Sequence, residues 1–269
     1  MSGNSIPCNL AYPLASLERY NSKESFSSFL FVHPHNSIVF SQIALVRRKK
    51  EMQVEIEDLI RSAVDIIKSG GTVVYPTETV YGLGADALSE EAVRKVYRIK
   101  RRELSQPISL AVSSFEMVHS IAYIDPESLE VLTELLPGPV TVLLRKKDTV
   151  PEVLTAESDI VGVRFPDNEI ATRIINETGP ITSTSANVSG RNPPTSVEEV
   201  EIKADIIING GRCKYGMPST VVDMTRTTAN EVKRHIKIEI KRRGAGYDRV
   251  LHVLRSKAVG KGLHGFPMP

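Results

Sequence analysis

The stretch Gly70-Gly71-Thr72-Val73-Val74-Tyr75-Pro76-Thr77-Glu78-Thr79-Val80-Tyr81-Gly82-Leu83-Gly84 decides how the rest of the chain is read. Upstream of it, Ile56, Leu59, Ile60, Ala63, Val64 and Ile67 recur at helical spacing, and the two glycines stop that helix. The β-branched run Thr72–Tyr75 follows and reads as a strand. It enters a loop, Pro76–Asp86, stiffened by proline and dense in hydroxyls. A helix, a turn, and a strand ending in a polar loop make the start of an alternating α/β pattern.

The alternation continues outward. Ser89 caps a helix carrying Ala92, Val93, Val96, Tyr97 and Ile99. Ile108–Val112 reads as a strand. Ser113 and Pro126 open two helical stretches, and Pro137-Gly138-Pro139 stops the second. Val140–Leu144 and Ile160–Phe165 read as strands, with Glu169–Glu177 helical after them. Ile181–Thr184, Ile206–Ile208 and Ser219–Asp223 are short apolar or β-branched runs between turn residues. Ile236, Ile238 and Ile240 alternate with Lys237, Glu239 and Lys241, as in a half-buried strand. Tyr247–Leu254 closes the pattern as a helix. The expectation is one α/β domain over residues 52–254, built on a twisted, open, mixed sheet with flanking helices.

The ends differ from this body. Residues 1–51 hold nine serines, no aspartate and no sustained period. They are expected to be a disordered extension, or sequence upstream of a start at Met52. Residues 255–269, with three glycines and two prolines, are expected to be a frayed tail. The net charge of +2 conceals an uneven distribution, because each end carries an excess of basic residues and residues 52–254 an excess of acidic ones. That weighs against nucleic-acid binding driven by net charge alone. Two cysteines, Cys8 and Cys213, exclude a disulfide framework and a cysteine zinc site, and suit a reducing, cytoplasmic setting. The apolar piece Ile38–Val46 is too short to span a bilayer, and its basic residues follow it, unlike those of a secretory signal. No membrane partner is expected.

Phosphate-binding loops of the P-loop and dinucleotide kinds are absent, as is a nucleophile elbow. No His-x-x-x-His pair occurs, so no metal held by the protein alone is expected. Four polar clusters remain, each at the end of a strand or helix. The Thr77–Tyr81 loop could be a turn whose hydroxyls satisfy its own backbone. Lys100-Arg101-Arg102 could only complement a helix dipole, or else clamp a polyphosphate. Thr182-Ser183-Thr184-Ser185-Ala186-Asn187 makes a poor core strand and a good rim of donors; the plainer reading is an exposed edge with a hydroxyl turn. Arg164, Ser219-Thr220 and Arg242-Arg243-Gly244 each pass for ordinary surface alone. Together these residues describe a cleft that positions and neutralises a triphosphate, with Mg²⁺ carried in by the nucleotide. No obvious nucleophile or general base accompanies them.

At these residues the sequence resembles the YrdC family, the L-threonylcarbamoyladenylate synthases. The similarity runs over residues 52–254 through Gly70-Gly71-Thr72, Pro76–Leu83, the K-x-R of Lys100 and Arg102, Val163-Arg164, the S-x-N of Ser185 and Asn187, and Ser219-Thr220-Val221 followed by Asp223. It departs from the family at Leu136, where Trp is common, at Glu103 after K-x-R, and at Arg243, where the family has R-P-G. The resemblance implies the YrdC-like sheet with a concave, positively charged cleft, in the short, single-domain form. It implies a nucleotidyltransferase reaction in which L-threonine, bicarbonate and ATP give threonylcarbamoyl-AMP and pyrophosphate. A downstream threonylcarbamoyl transferase complex then modifies adenosine 37 of tRNAs that read ANN codons, and tRNA itself is a further candidate partner. By resemblance, Thr77, Ser183 and Ser219 touch threonine and Arg164 pairs with its carboxylate. Lys100, Arg102, Ser185, Asn187 and Arg242 hold the nucleotide phosphates, with Lys100 and Arg102 the catalytic pair and Ser109 a weaker candidate. Two rival readings are a noncatalytic RNA-binding module on the same face and a carbamoyl-adenylate synthase of hydrogenase maturation.

Overall fold

The computed structural model describes residues 36–230 and 233–260. The chain divides into two units, residues 1–50 and 51–269. The first described helix, α1, runs Asn36–Lys68, so it takes in residues 36–51 of the segment expected to be a disordered extension or sequence upstream of a start at Met52. The reason is local: no glycine or proline interrupts that span. Residues 1–35 and 261–269 lie outside the described residues, so the disordered extension is untested there. The expected fray after Leu254 is corrected in part, because α7 continues from Tyr247 to Gly260.

The strands in chain order are β1 (Val73–Tyr75), β2 (Gly82–Gly84), β3 (Ser109–Ala111), β4 (Ala122–Tyr123), β5 (Val140–Lys146), β6 (Ile160–Arg164), β7 (Ile181–Ser185), β8 (Ile206–Ile207), β9 (Thr220–Asn230) and β10 (Lys233–Arg242). Between them lie α2 (Glu90–Lys100), α3 (Phe115–Ile121), α4 (Pro126–Leu135), α5 (Glu152–Thr155) and α6 (Glu169–Thr178). The strands form one mixed sheet in the order β10-β9-β5-β6-β3-β7-β2-β1-β8, with β4 paired to β5. Parallel pairs (β1/β8, β3/β6, β5/β9) stand among antiparallel ones. Caps follow the sequence: Ser89, Ser114, Asp125 and Asn168 each accept a backbone N–H at the start of a helix. The cap of α3 is thus Ser114 and not Ser113.

Strand alternation sends neighbouring residues to opposite faces. Val74 and Leu110 join a cluster with Val93 and Val96 of α2, Leu132 of α4 and Val250 of α7. Val73, Tyr75 and Ala111 join another with Ile60 and Ile67 of α1 and Ile174 of α6. The helical spacing that began the sequence reading is therefore the face α1 buries. Ile238 and Ile240 are half-buried against the first cluster, as their alternation implied.

Two expectations are corrected inside the sheet. The segment 76–86 is not all loop, since Gly82–Gly84 forms β2 between β1 and β7. A Cβ at Gly82 would lie 2.8 Å from the Tyr75 ring, and one at Gly84 2.9 Å. The glycines are there to let the ring lie across the strand. Second, β7 is an interior strand between β3 and β2, not an exposed edge. Its Thr182 is fully buried, yet the hydroxyl donates to Leu83 O at 3.0 Å and accepts from Ala85 N at 3.1 Å. A buried hydroxyl with both functions paired costs little, which is why a polar run tolerates the sheet interior.

Two predictions follow from the packing. Gly84→Ala will lower stability by about 2 kcal/mol through overpacking against Tyr75, read as a fall in denaturation midpoint. An unchanged midpoint would show that the ring moves freely. The second concerns Glu57, whose Oε1 accepts from Arg173 Nη1 at 2.6 Å while Oε2 accepts from Nη2. The hydrogen bond from Arg173 holds the carboxyl well down, at about 2. Because the folded value lies below the ordinary one, the pair stabilises fully above the ordinary carboxylate range and fades as pH falls toward 2. The melting difference between wild type and Glu57→Gln will therefore be largest near neutrality and shrink through that acid range.

Candidate active site

On β7, Ile181, Ser183 and Ser185 share one face by alternation. Ile181 lies in the cluster under α1 and α6, whereas Ser183 and Ser185 line a cavity of about 270 Å³. The cavity is thus the stretch of that sheet face which α1 and α6 leave uncovered. The register brings polar residues of separate segments to the same level. Ser109 faces Ser183, Gly82 faces Ser185, and Thr141 faces both Arg164 and Val221. Gly162 is the small residue that admits Ser109, since a Cβ there would lie 2.4 Å from its Oγ.

Three guanidinium groups border the cavity, each held differently. Arg164, at the end of β6 and buried, donates from Nη2 to Glu78 Oε1 at 2.6 Å and more weakly from Nη1 to Thr79 Oγ1 at 3.4 Å. Arg102 donates to the carbonyls of Gln106 (3.1 Å) and Pro107 (2.9 Å). Arg242, at the end of β10, donates twice to Ser219 O, at 3.2 and 2.9 Å, and once to Ser219 Oγ at 3.3 Å. Burial pushes the pKa of both Arg102 and Arg242 down, and for Arg242 the charge of Arg164 adds to it. Arg243 turns away, its guanidinium 4.1 Å from the Tyr247 ring centre. The sequence's open choice between Arg242 and Arg243 falls on Arg242 as the one at the cavity.

Of the residues singled out in the sequence, Thr77, Arg102, Ser109, Arg164, Ser183, Ser185, Ser219 and Arg242 border this cavity. Lys100 and Asn187 do not. Lys100 is buried, and its ammonium donates to Ser185 O and to Asn187 O, the latter at 2.8 Å. Burial, then the charge of Arg102, lowers its pKa to about 8. Asn187 donates to Val188 O (3.0 Å) and Arg191 O (2.7 Å) and lies on a separate hollow with Arg191 and Thr195. The Thr77 loop does satisfy its own backbone, as the plainer reading has it, through the Thr77 side chain. Its hydroxyl donates to Val80 O at 2.6 Å and accepts from Thr79 N and Val80 N.

Sequence reasoning missed Thr141 and Glu78. Thr141 shares a 2.7 Å hydrogen bond with Ser219 and borders the cavity. A lone threonine within Val140–Leu144 was the available signal. Tyr75 also borders it, its hydroxyl donating to Thr182 O at 3.3 Å and its pKa pushed up to about 12 by burial. Among the described residues, those bordering the cavity include no aspartate or glutamate. Among the described residues no group of three or more metal-ligating side chains converges, and no helix is long and apolar enough to cross a membrane.

The fold and cavity define an α/β protein that gathers arginine and hydroxyl donors on one face of a mixed sheet. The Sua5/YciO/YrdC family model, described as "Telomere recombination", matches residues 65–235, and the chain belongs to that family. A threonylcarbamoyl-AMP synthase of Pyrococcus abyssi is 42% identical over 172 residues, covering 62% of this chain and 51% of its own. One from Bacillus subtilis is 35% identical over 170 residues, covering 61% and 49%. The crystal structure of P. abyssi Sua5 complexed with L-threonine superposes with a TM-score of 0.60 at 42% identity, over 62% of this chain and 51% of that one. This chain therefore spans about half the length of these relatives.

Lys100→Met will lower stability by about 1 kcal/mol, because Asn187 O loses its ammonium donor and Ser185 O keeps only Asn187 N at 2.9 Å. A thermal or denaturant midpoint equal to wild type would mean that Asn187 O finds another donor.

Proposed function

We propose that the chain is a threonylcarbamoyl-AMP synthase acting on L-threonine, bicarbonate and ATP. The observation that carries this is the convergence of Arg102, Arg164 and Arg242 with serine and threonine hydroxyls in one cavity. That cavity lies in a chain similar to synthases of this name and to a Sua5 crystallised with L-threonine. Those names also favour an enzyme over a noncatalytic RNA-binding module.

In this reading threonine lies against Thr77, Ser183 and Ser219, with its carboxylate on Arg164. A planar guanidinium matches a carboxylate in geometry as well as charge. Threonine's amine and bicarbonate give a carbamate and water. A carbamate oxygen attacks the α-phosphate of ATP, the bond to the β-phosphate oxygen breaks, and pyrophosphate leaves. The protein's part is to place the reactants and offset negative charge, which phosphoryl chemistry needs more than a covalent side chain. Arg102 and Arg242 would take the phosphates, with Ser185 donating beside them. Lys100 would act from beneath, holding the Ser185–Asn187 segment that presents Ser185 and Asn187 to the nucleotide. Mg²⁺ would travel with ATP, since the described residues of the cavity border offer hydroxyls and no carboxylate of their own. Its contribution would be to neutralise phosphate charge. The product would pass to a threonylcarbamoyl transferase complex, with tRNA as the final acceptor, in the cytoplasm.

The test is pyrophosphate release with ATP, Mg²⁺, L-threonine and bicarbonate, omitting each in turn. Release that requires both threonine and bicarbonate is expected; release indifferent to threonine would refute the assignment. Arg102→Ala and Arg242→Ala should each lower the rate on the order of 100-fold. Arg243→Ala should stay within about twofold, because that side chain packs on Tyr247 away from the cavity.

A further inference from the structure

The cavity's best-anchored arginine has a partner that itself stays off the cavity border. Glu78 is 4% exposed, and its carboxylate meets Arg164 Nη2 at 2.6 Å. Its backbone is pinned as well, because Glu78 O accepts from Tyr215 N at 2.9 Å. Arg164 is 7% exposed and borders the cavity, whereas Glu78 does not.

The pair is poorly built for stability. Glu78 Oε2 and Arg164 Nε are both buried without a hydrogen-bond partner. A buried ion pair repays its desolvation only when the remaining lone pairs and protons are satisfied. Leaving two such atoms unsatisfied inside a protein is costly, and sites that carry the cost are commonly functional ones. What the pair does secure is direction. With Nη2 fixed by a carboxylate and the side chain enclosed, the guanidinium plane has one orientation. Nη1, whose contact to Thr79 Oγ1 is long at 3.4 Å, keeps donor capacity for an acceptor in the cavity.

We infer that Glu78 is a positioning residue for the amino-acid substrate: it aims Arg164 at a carboxylate in the cavity and takes no direct part in the chemistry. This rests on the threonylcarbamoyl-AMP synthase reading. The pair also cancels Arg164's net charge within the wall, so Arg164 acts as an oriented donor, while Arg102 and Arg242 are held by neutral carbonyls. Glu78 should therefore affect recognition of the amino acid and leave recognition of the nucleotide alone.

The test is steady-state pyrophosphate release by the full chain, with KM determined separately for L-threonine and for ATP. Glu78→Ala is expected to raise KM for threonine about tenfold or more, the equivalent of one lost charge-assisted contact, and to keep KM for ATP within about twofold. Glu78→Gln retains a carbonyl oxygen at the same reach and should recover most of the loss. Melting midpoints of all three proteins are read alongside. Equal rises in both KM values, together with a fall in midpoint, would make Glu78 merely structural and overturn the inference. So would a threonine KM unchanged in Glu78→Ala. If Glu78→Ala does not fold, Glu78→Asp, whose shorter side chain withdraws the carboxylate from Arg164, must raise the threonine KM selectively, and an unchanged threonine KM or a nonselective rise there overturns the inference. Wild type that releases no pyrophosphate in response to threonine would overturn the synthase reading and this inference with it. Active wild type with unselective variants would overturn this inference alone.

Discussion

The ring of Tyr75 sets the geometry on which the cavity depends. It lies across Gly82 and Gly84 on the paired strand, with no space for a Cβ at either position. That contact lets β2 close against β1, and β2 in turn receives β7 through Gly82↔Ser185 and Leu83↔Thr184. Once β7 is paired on both sides, alternation decides what each residue meets. Thr182 turns inward and is satisfied by Leu83 O and Ala85 N. Ser183 and Ser185 turn to the face where the cover of α1 and α6 has ended. The hydroxyl floor is thus a consequence of sheet order. An Ala at either glycine would disturb the floor before it touched any ligand.

The sheet was legible in the sequence because its signals are local. β-branched runs, capping serines and the Ile238/Ile240 alternation each declare themselves within a few residues. β2 was not legible, because Gly-Leu-Gly has no strand propensity and exists as a strand only through Tyr75, a contact made by pairing. The interior position of β7 was hidden for a related reason. A run of four hydroxyl residues reads as exposed unless one knows that Leu83 O and Ala85 N wait for Thr182. At the site, motif spacing located Arg164, Arg242 and the serines of β7. It said nothing about Thr141, whose significance comes from facing Arg164 across β5 and β6 and Ser219 beyond β9. Nor did it show which of two adjacent arginines, Arg242 or Arg243, meets the cavity. That depends on Tyr247 being one helical start away to take the other.

The three arginines of the cavity differ in how much charge they keep. Arg164 faces a carboxylate, so its field is largely spent within the wall. Arg102 and Arg242 are fixed by carbonyl oxygens, which supply direction without cancelling charge. A guanidinium held in this way is already oriented, and little reorganisation remains for it to meet a further acceptor. Burial, and after it the nearby charge of Arg164, lowers the proton affinity of Arg242.

The separate fates of Lys100 and Arg102 trace to the single residue between them. Helix α2 ends at Lys100, and Arg101 takes the left-handed conformation, φ 48° and ψ 45°, as its C-cap. Its N–H bonds back to Arg98 O, and Arg102 N bonds to Tyr97 O at 3.0 Å, closing the last turn. The reversal sends the two flanking cations apart, Lys100 under the Ser185–Asn187 segment and Arg102 to the cavity border. A non-glycine residue in that conformation costs on the order of 1 kcal/mol, so the turn is held by what surrounds it. Lys100 supplies part of that hold, since Lys100 O also accepts from Ser189 N at 2.9 Å while its ammonium grips the same segment. One helix cap therefore fixes the rim residues of β7 and aims Arg102 in the same stroke. The spacing of lysine and arginine by one residue is what such a cap requires: a shorter interval has no room for the left-handed residue, and a longer one loosens the link between rim and cavity.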